Sequence, residues 1–123
     1  MAWTIRFHDL FEAEFEELDS DVQDELLALM GLLREFGPRL GRPRADTLKG
    51  SVHANMKELR FDAAGGVWRV AFAFDPKRQA ILLVAGDKSG SNQQRFYRQL
   101  IAKADERFDD HLALLNRLER KGA

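Results

Sequence analysis

The residues of this sequence best suited to chemistry are two arginines, Arg60 and Arg69, on either side of a predicted turn. If Ala63–Gly66 connects two antiparallel strands, pairing outward from the turn places Arg60 directly opposite Arg69. Like charges directly opposite each other destabilise a sheet, whereas arginine binds phosphate through two parallel hydrogen bonds. The facing pair therefore indicates a binding site for an anion such as phosphate.

The residues around this pair leave two interpretations open. Ala71 and Ala73 would share the face of the sheet that carries both arginines, and side chains this small would leave room for a ligand. Glu58 shares the same face and could instead bridge Arg60 and Arg69 on a solvated surface. We favour the anion site, because clusters of perturbed charge concentrate at functional sites.

Further polar side chains are candidates for the same site, namely Lys49, Lys57, His53, Lys88 and Tyr97. Lys88 is predicted at a strand end just before a helix, whose N-terminal amides favour anions. The three histidines lack metal-ligand spacing and the chain has no cysteine, so we expect neither a metal nor another cofactor. The sequence also lacks the phosphate-binding glycine motifs and the nucleophile-elbow motif.

Charge is unevenly distributed along the chain. Residues 1–36 hold two basic and ten acidic residues, whereas the remainder holds seventeen basic and ten acidic residues. Arg42, Arg44 and Lys49 lie in a basic loop, 37–50, which contains glycine and proline. Such a loop could follow a phosphate backbone, or it could be a solvated connector. The asymmetry predicts a basic side that faces a polyanion and acidic helices turned away from it.

Length and composition favour one globular domain, residues 1–123. A hydrophobic fraction of 45% with 32% charged residues argues against a disordered chain. The absence of cysteine fits a reducing compartment. The first residues lack the apolar stretch of a signal peptide, and the longest apolar run, Ala80–Ala85, is too short to span a bilayer. We therefore expect a cytoplasmic protein without a membrane partner.

Hydrophobic periodicity predicts an α+β fold. Residues 2–8 alternate between apolar and polar and are predicted as a strand. Two helices follow, with capping-box patterns at Asp9 and Ser20, and the second ends at Gly37–Pro38. The same pattern at Ser91 begins a helical stretch that continues to the C-terminus as one helix or two.

Three short strands between the second and third helices are predicted to form an antiparallel meander: Lys57–Phe61, Val67–Phe74 and Ala80–Lys88. We expect the helical pair on one face of a four-stranded, mainly antiparallel sheet, with the C-terminal helix packed nearby. The predicted core comprises Trp3, Phe7, Phe11, Leu26, Leu29, Leu59, Phe61, Trp68, Val70, Phe72, Leu82 and Leu100.

The order and spacing of these features resemble the RelE/ParE superfamily of toxins, and most of all its HigB-like branch of phage-derived killer proteins. The resemblance lies in Asn55–Phe61, Trp68–Phe72, Gly86–Gly90 and Arg95–Tyr97, and with the preceding elements it spans nearly the whole chain. It implies a RelE-like fold and the toxin of a type II toxin–antitoxin system. Many members cleave messenger RNA in the ribosomal A site, and a cognate antitoxin, here a helix-turn-helix HigA-like protein, neutralises them.

The resemblance also implies roles for single residues. Arg69 matches the arginine that holds the scissile phosphate, and Arg60 and Lys88 match other basic positions. Tyr97 matches an aromatic residue that stacks on a base or acts as a general base. The implied catalytic residues are Arg69, Arg60, Lys88, Lys57, Tyr97 and His53, and the implied RNA-binding residues are Lys49, Arg44, Arg42 and Arg95.

The implied reaction is a metal-independent endoribonuclease step. The 2′-hydroxyl of RNA attacks the adjacent phosphate and leaves a 2′,3′-cyclic phosphate and a 5′-hydroxyl. Cations stabilise the growing negative charge, and a cationic site lowers the pKa of a nearby tyrosine or lysine. On this basis Arg69→Ala should lose about a hundredfold in cleavage and keep its stability, since a like-charge repulsion is removed.

Two other functions fit the sequence. A ParE-like toxin would inhibit DNA gyrase by protein contact and would need no phosphate site at the two arginines. A non-catalytic nucleic-acid-binding protein would bind with a steep salt dependence and leave the RNA intact. Translating ribosomes and gyrase, tested separately, would distinguish these functions.

Overall fold

The apolar runs of the sequence assemble into a sheet covered by helices on both faces. A computed structural model describes residues 2–122. The elements in chain order are β1 (Thr4–Phe7), α1 (Asp9–Glu16), α2 (Ser20–Phe36), a short 3₁₀ helix (Gly37–Arg39), β2 (Ala45–Thr47), β3 (Met56–Ala63), β4 (Gly66–Phe74), β5 (Gln79–Asp87) and α3 (Gln93–Gly122). Among these helices none is both apolar and long enough to cross a membrane.

The sheet has the strand order β1-β5-β4-β3-β2, with β1 parallel to β5 and all other pairs antiparallel. The predicted α+β class and mainly antiparallel sheet are confirmed. The predicted number of four strands is wrong, because the basic loop contributes a fifth. Ala45–Thr47 pairs with Lys57–Leu59, and so short a strand between glycines and prolines carries too little alternation to be detected.

The predicted register of the meander is confirmed. Arg60 pairs with Arg69, and Phe61 pairs with Trp68. The connecting loop is Ala64 and Gly65, both with positive φ, at 50° and 76°. Two residues of positive φ form the tight turn whose twist suits paired strands, and this turn fixes which side chains share a face.

The two faces of the sheet carry separate cores. Helices α1 and α2 cover one face, where the predicted core residues Phe11, Leu26, Leu29, Leu59, Val70, Phe72 and Leu82 are buried. Leu100 is buried on the opposite face, under α3. The predicted core residues Trp3, Phe7, Phe61 and Trp68 are only partly buried. The acidic helices therefore lie across the sheet from Arg60 and Arg69, as predicted.

Helix α3 is one continuous helix, and it occupies the space that the sequence assigned to a ligand. Ala71 and Ala73 are fully buried, and they cluster with Ala104 and Phe108 of α3. The prediction that these alanines leave room for a ligand is wrong. Small side chains on β4 let the helix approach the sheet closely, which is their function in the fold.

A buried arginine fastens α3 to the rest of the molecule. The β4–β5 register shifts at Ala71/Phe72, which leaves Leu83 without a partner in the pairing. The Nη1 of Arg107 donates to the Leu83 carbonyl at 2.7 Å. The same guanidinium makes two hydrogen bonds, of 2.8 and 2.6 Å, to the carboxylate of Glu14 on α1. Arg107 thus provides a hydrogen bond to the carbonyl left unpaired by the register shift, and it links α3 to α1.

The helix caps differ from the predicted ones by one residue. The Nδ1 of His8, rather than Asp9, accepts from the first turn of α1, and Asp19, rather than Ser20, accepts from that of α2. At α3 the Oδ1 of Asn92 accepts from Arg95 N at 3.0 Å, in place of the predicted cap at Ser91. Several adjacent residues can cap a helix, so local sequence does not select among them.

Candidate active site

Arg60 and Arg69 leave the sheet on the α3 face with the carboxylate of Glu58 beside them. Glu58 Oε2 accepts from Arg60 Nη1 at 2.9 Å, and Glu58 Oε1 lies 3.8 Å from Arg69 Nε. The side chains of Arg69 and Glu58 are 7% and 5% exposed, whereas that of Arg60 is 26% exposed. Glu58 therefore bridges both arginines, as the alternative interpretation proposed, but in a buried setting instead of a solvated one.

Tyr97, in the second turn of α3, contacts this cluster from the side of the helix. Its hydroxyl donates to Glu58 Oε1 at 3.0 Å and accepts from Arg69 Nε at 3.2 Å. Arg69 Nη1 also donates to the Trp68 carbonyl at 2.9 Å. Burial raises the pKa of Tyr97, and Glu58 adds to this against the opposing effect of Arg69. The expectation that the cationic site lowers the pKa of this tyrosine is wrong.

Lys88 stands at the open edge of the cluster. Its ammonium lies 5.9 Å from the centre of the Tyr97 ring, within reach of a cation–π contact. Burial lowers the pKa of Lys88, and the positive charges of Arg69 and Arg60 lower it further. For this residue the predicted effect of a cationic site is confirmed.

The turn after β5 holds Lys88 in place. The Oδ1 of Asp87 accepts from the backbone N–H groups of Val67 and Ser89, at 3.0 and 2.9 Å. The Lys88 backbone N–H donates to the Val67 carbonyl at 2.8 Å. The hydrogen bond from the Ser89 side chain is the main cause that lowers the pKa of Asp87. These contacts hold the backbone of Lys88 directly after the end of β5, beside the β3–β4 hairpin.

A glycine sets the position of α3 over the cluster. Gly86 is the β5 partner of Arg69. A Cβ at Gly86 would lie 2.8 Å from the ring of Phe96, a distance that real Cβ atoms do not tolerate. The absence of a side chain at Gly86 therefore lets Phe96 pack on the strand, and this brings the neighbouring Tyr97 over Arg69.

The structure leaves Lys57 and His53 apart from this cluster. Lys57 alternates with Glu58 along β3, so its side chain belongs to the opposite face of the sheet. His53 bonds Asp109 at 2.8 Å and packs edge-on against Phe108. Asp109 is twelve residues beyond Tyr97, about 18 Å along the helix. His53 therefore fixes the β2–β3 loop on α3 and lies away from the arginines.

The four predicted RNA-binding residues lie outside the cluster and have different environments. Arg44 adjoins Arg60 in the sheet, since the Arg60 N–H donates to the Arg44 carbonyl at 2.8 Å. Arg42 is exposed and held by Asp46 at 2.7 Å. Lys49 is exposed in the turn after β2, and Arg95 is exposed on the first turn of α3.

Sequence reasoning missed Glu58 as a member of the site. From sequence, Glu58 is considered only as a bridge between the two arginines on a solvated surface. Its position two residues before Arg60 on one strand face was the available signal. The contact with Tyr97, 39 residues further along the chain, had no signal in the sequence. Within residues 2–122 no three histidine or carboxylate side chains are arranged to hold a metal ion.

Comparisons with known proteins match most of the chain. The family model of the phage-derived Gp49-like proteins (DUF891) matches residues 13–109. The candidate toxin HigB3 of Mycobacterium tuberculosis is 46% identical over 102 residues, which cover 83% of this chain and 87% of that protein. The candidate toxin HigB2 of the same organism is 48% identical over 97 residues, 78% of this chain but only 48% of that protein. The chain thus spans about half the length of HigB2.

A solved structure of the E. coli toxin RelE, an arginine-to-alanine double mutant in the free state, superposes with a TM-score of 0.63. The superposition covers 87% of this chain and 98% of that one at 17% sequence identity. At this level of identity the likeness concerns the fold, and it confirms the RelE-like architecture.

Proposed function

This chain belongs to the Gp49-like family of phage-derived proteins, together with the HigB toxins that it matches, and on that premise we propose that it is a toxin that cleaves messenger RNA on the ribosome. The observation that carries the proposal is the cluster of Glu58, Arg60, Arg69, Lys88 and Tyr97. It combines two partly accessible cations with a tyrosine bonded to a carboxylate, the groups that phosphoryl transfer needs.

In this mechanism Arg60 and Lys88 bind the scissile phosphate, because they are the members of the cluster whose charges reach solvent. Both stabilise the negative charge that grows on the phosphoryl oxygens. Arg69 is enclosed and bonded to Tyr97, so we assign it the role of holding Tyr97. This differs from the direct phosphate contact that the family resemblance implies.

Tyr97 and Glu58 form the route for the first proton. The 2′-hydroxyl gives its proton to the Tyr97 oxygen while Tyr97 passes its own proton to Glu58 Oε1, which already accepts its hydrogen bond at 3.0 Å. The raised pKa of Tyr97 suits such a relay, because no free tyrosinate is required. The 2′-oxygen then bonds to phosphorus.

Lys88 completes the reaction at the leaving group. As the bond from phosphorus to the 5′-oxygen breaks, Lys88 gives that oxygen a proton, and its lowered pKa favours the transfer. The products are a 2′,3′-cyclic phosphate and a 5′-hydroxyl, and no metal takes part. The ribosome would supply substrate orientation.

A protein antitoxin and a cytoplasmic location follow from this proposal. The ribosome with its messenger RNA is the target. A helix-turn-helix HigA-like protein is the antitoxin that the family implies. Co-expression with a neighbouring gene product of that type should suppress toxicity, and purification should yield a complex.

The deciding experiment incubates the purified protein with translating ribosomes and maps cleavage by primer extension. We expect cleavage that ends in a cyclic phosphate and that disappears in Arg60→Ala with Lys88→Ala. Intact messenger RNA with a folded protein contradicts the proposal. DNA gyrase, tested in parallel, identifies the ParE-like alternative if gyrase is poisoned and RNA remains whole.

A further inference from the structure

The cluster at the active site continues as a row of arginines across the sheet. Ala45 pairs with Leu59, so Arg44 is the next neighbour of Arg60, and the Arg60 N–H donates to the Arg44 carbonyl at 2.8 Å. Arg60 in turn pairs with Arg69. The backbones of Arg44, Arg60 and Arg69 therefore lie side by side across the start of β2, β3 and β4, over about 10 Å.

The side chain of Arg44 shares the face of the other two arginines. Arg44 is the turn residue directly before β2, and Ala45, the first residue of that strand, is fully buried under α2. Continuing the alternation by one residue from Ala45 directs Arg44 to the opposite face, that of Arg60 and Arg69. The first turns of α3 cover only part of the row, because Phe96 lies over Gly86 and Tyr97 bonds Arg69. The β2 side of the row, with Arg44, stays open.

The two basic residues at this edge have different environments. Arg42 forms an ion pair with Asp46 at 2.7 Å. Arg44 is exposed and has no ion pair or side-chain hydrogen bond within residues 2–122. A guanidinium that is aligned with the active site, accessible and without an acidic partner is suited to bind a phosphate.

We propose that the RNA strand runs over the β2 edge of the sheet and that Arg44 binds a phosphate next to the scissile one. The inference rests on the proposed function. It assigns a direction to the substrate, from the Lys88 side across Arg60 toward Arg44. Among the four basic residues predicted to bind RNA, it singles out the one that the sheet register aligns with the cluster.

Phosphate at this edge could come from messenger RNA or from ribosomal RNA, and the proposal commits to messenger RNA. The test uses ribosomes that carry a messenger RNA blocked against cleavage by 2′-O-methyl groups, and matched ribosomes with an empty A site. Binding of the full chain to both is measured over a series of salt concentrations. Variants are Arg44→Ala, Arg44→Lys and, as control, Arg34→Ala.

Arg34 is an exposed arginine on α2, across the sheet from the row. Arg34→Ala therefore changes the net charge by the same amount as Arg44→Ala. On programmed ribosomes Arg44→Ala should weaken binding about three- to tenfold and reduce the slope of log affinity against log salt by about 0.7, the value for one single-strand phosphate. Arg44→Lys should keep most of the slope, and Arg34→Ala should match the parent protein.

Three outcomes would overturn the inference. One is an unchanged slope in a folded Arg44→Ala, and another is an equal loss in Arg34→Ala. The third is equal weakening on empty ribosomes, which would assign the phosphate to ribosomal RNA. Failure of the proposed function appears separately, as a parent protein that leaves cleavable messenger RNA intact on the same ribosomes.

Discussion

The hydroxyl of Tyr97 donates a 3.0 Å hydrogen bond to Glu58 Oε1, and through it helix α3 is joined to strand β3. Glu58 is the internal anion that offsets the repulsion between the two facing arginines. This counter-charge comes from the protein itself and requires no bound ligand. It also places a proton donor and acceptor beside the cations of the candidate site, which leads to testable expectations for that site.

Tyr97→Phe tests the proton relay, because it removes the hydroxyl and keeps the ring. Cleavage should fall by about 10²–10⁴, the usual range for a general base, while ribosome binding stays close to the parent value. Single-turnover cleavage and equilibrium binding measure the two effects. A variant that cleaves at the parent rate would leave only a stacking role for the ring.

Arg69→Ala tests the assignment of a buried positioning residue. Cleavage should fall by roughly a hundredfold, because Tyr97 loses a group that positions it. Stability should also fall, by about 2–4 kcal/mol, because the change leaves Glu58 and Tyr97 without one of their partners. Urea denaturation measures this. From sequence, Arg69→Ala is expected to keep its stability, whereas the buried contacts predict a loss. An Arg69→Ala protein as stable as the parent would show that these contacts do not stabilise the fold.

The pH dependence of cleavage tests Lys88. As general acid it must be protonated, so the rate should fall as pH rises through its pKa, which lies below the ordinary 10.5. Lys88→Arg keeps the charge but cannot release a proton at these pH values. It should retain binding, lose most of the cleavage and lose the basic limb of the profile. If Lys88→Arg keeps the basic limb of the pH–rate profile, that limb arises from the titration of another group.

Gly86→Ala tests the packing that places Tyr97. The new Cβ would lie 2.8 Å from Phe96, so the first turns of α3 must shift and cleavage should fall at least tenfold, since small misplacements of catalytic groups are costly. Gly31→Ala is the matched control, because nothing lies within 4 Å of its Cβ. The control should cleave normally and gain up to about 1 kcal/mol of helix stability. Normal cleavage by Gly86→Ala would mean that Phe96 adapts.

Acid unfolding tests Asp75, whose carboxylate bonds His111 and Gln79, each at 2.8 Å. Burial opposes ionisation, but the hydrogen bonds outweigh it, beginning with that from His111, and the pKa of Asp75 is lowered. A lowered pKa in the folded state adds stability above about pH 3.8, and this is lost as pH falls through the folded value. Asp75→Asn should therefore have a lower free energy of unfolding than the parent at pH 5. Between pH 5 and pH 3 it should lose less of that free energy than the parent does, as measured by urea denaturation. If both proteins lose the same free energy of unfolding between pH 5 and pH 3, the Asp75 carboxylate is not the source of the acid sensitivity.

Local patterns in the sequence determined the sheet well. Alternation and the short turn at Ala64–Gly65 fixed the pairing of Arg60 with Arg69, since a two-residue turn allows only one register. The resemblance to toxins followed from the order of the same motifs. The helix caps were misplaced by one residue, because adjacent polar residues compete equally for the same backbone groups.

The tertiary structure alone decided what surrounds those arginines. The sequence of α3 showed an apolar stripe but not the face of the sheet that it would cover, because a stripe of leucine and phenylalanine packs on either face. Placement of α3 over Ala71 buried Arg69 and brought Tyr97 to Glu58. Contacts between residues 28 and 39 positions apart arise from the packing of whole elements. Local sequence therefore supplied the chemical groups of the site, and only helix packing determined which of them face the solvent.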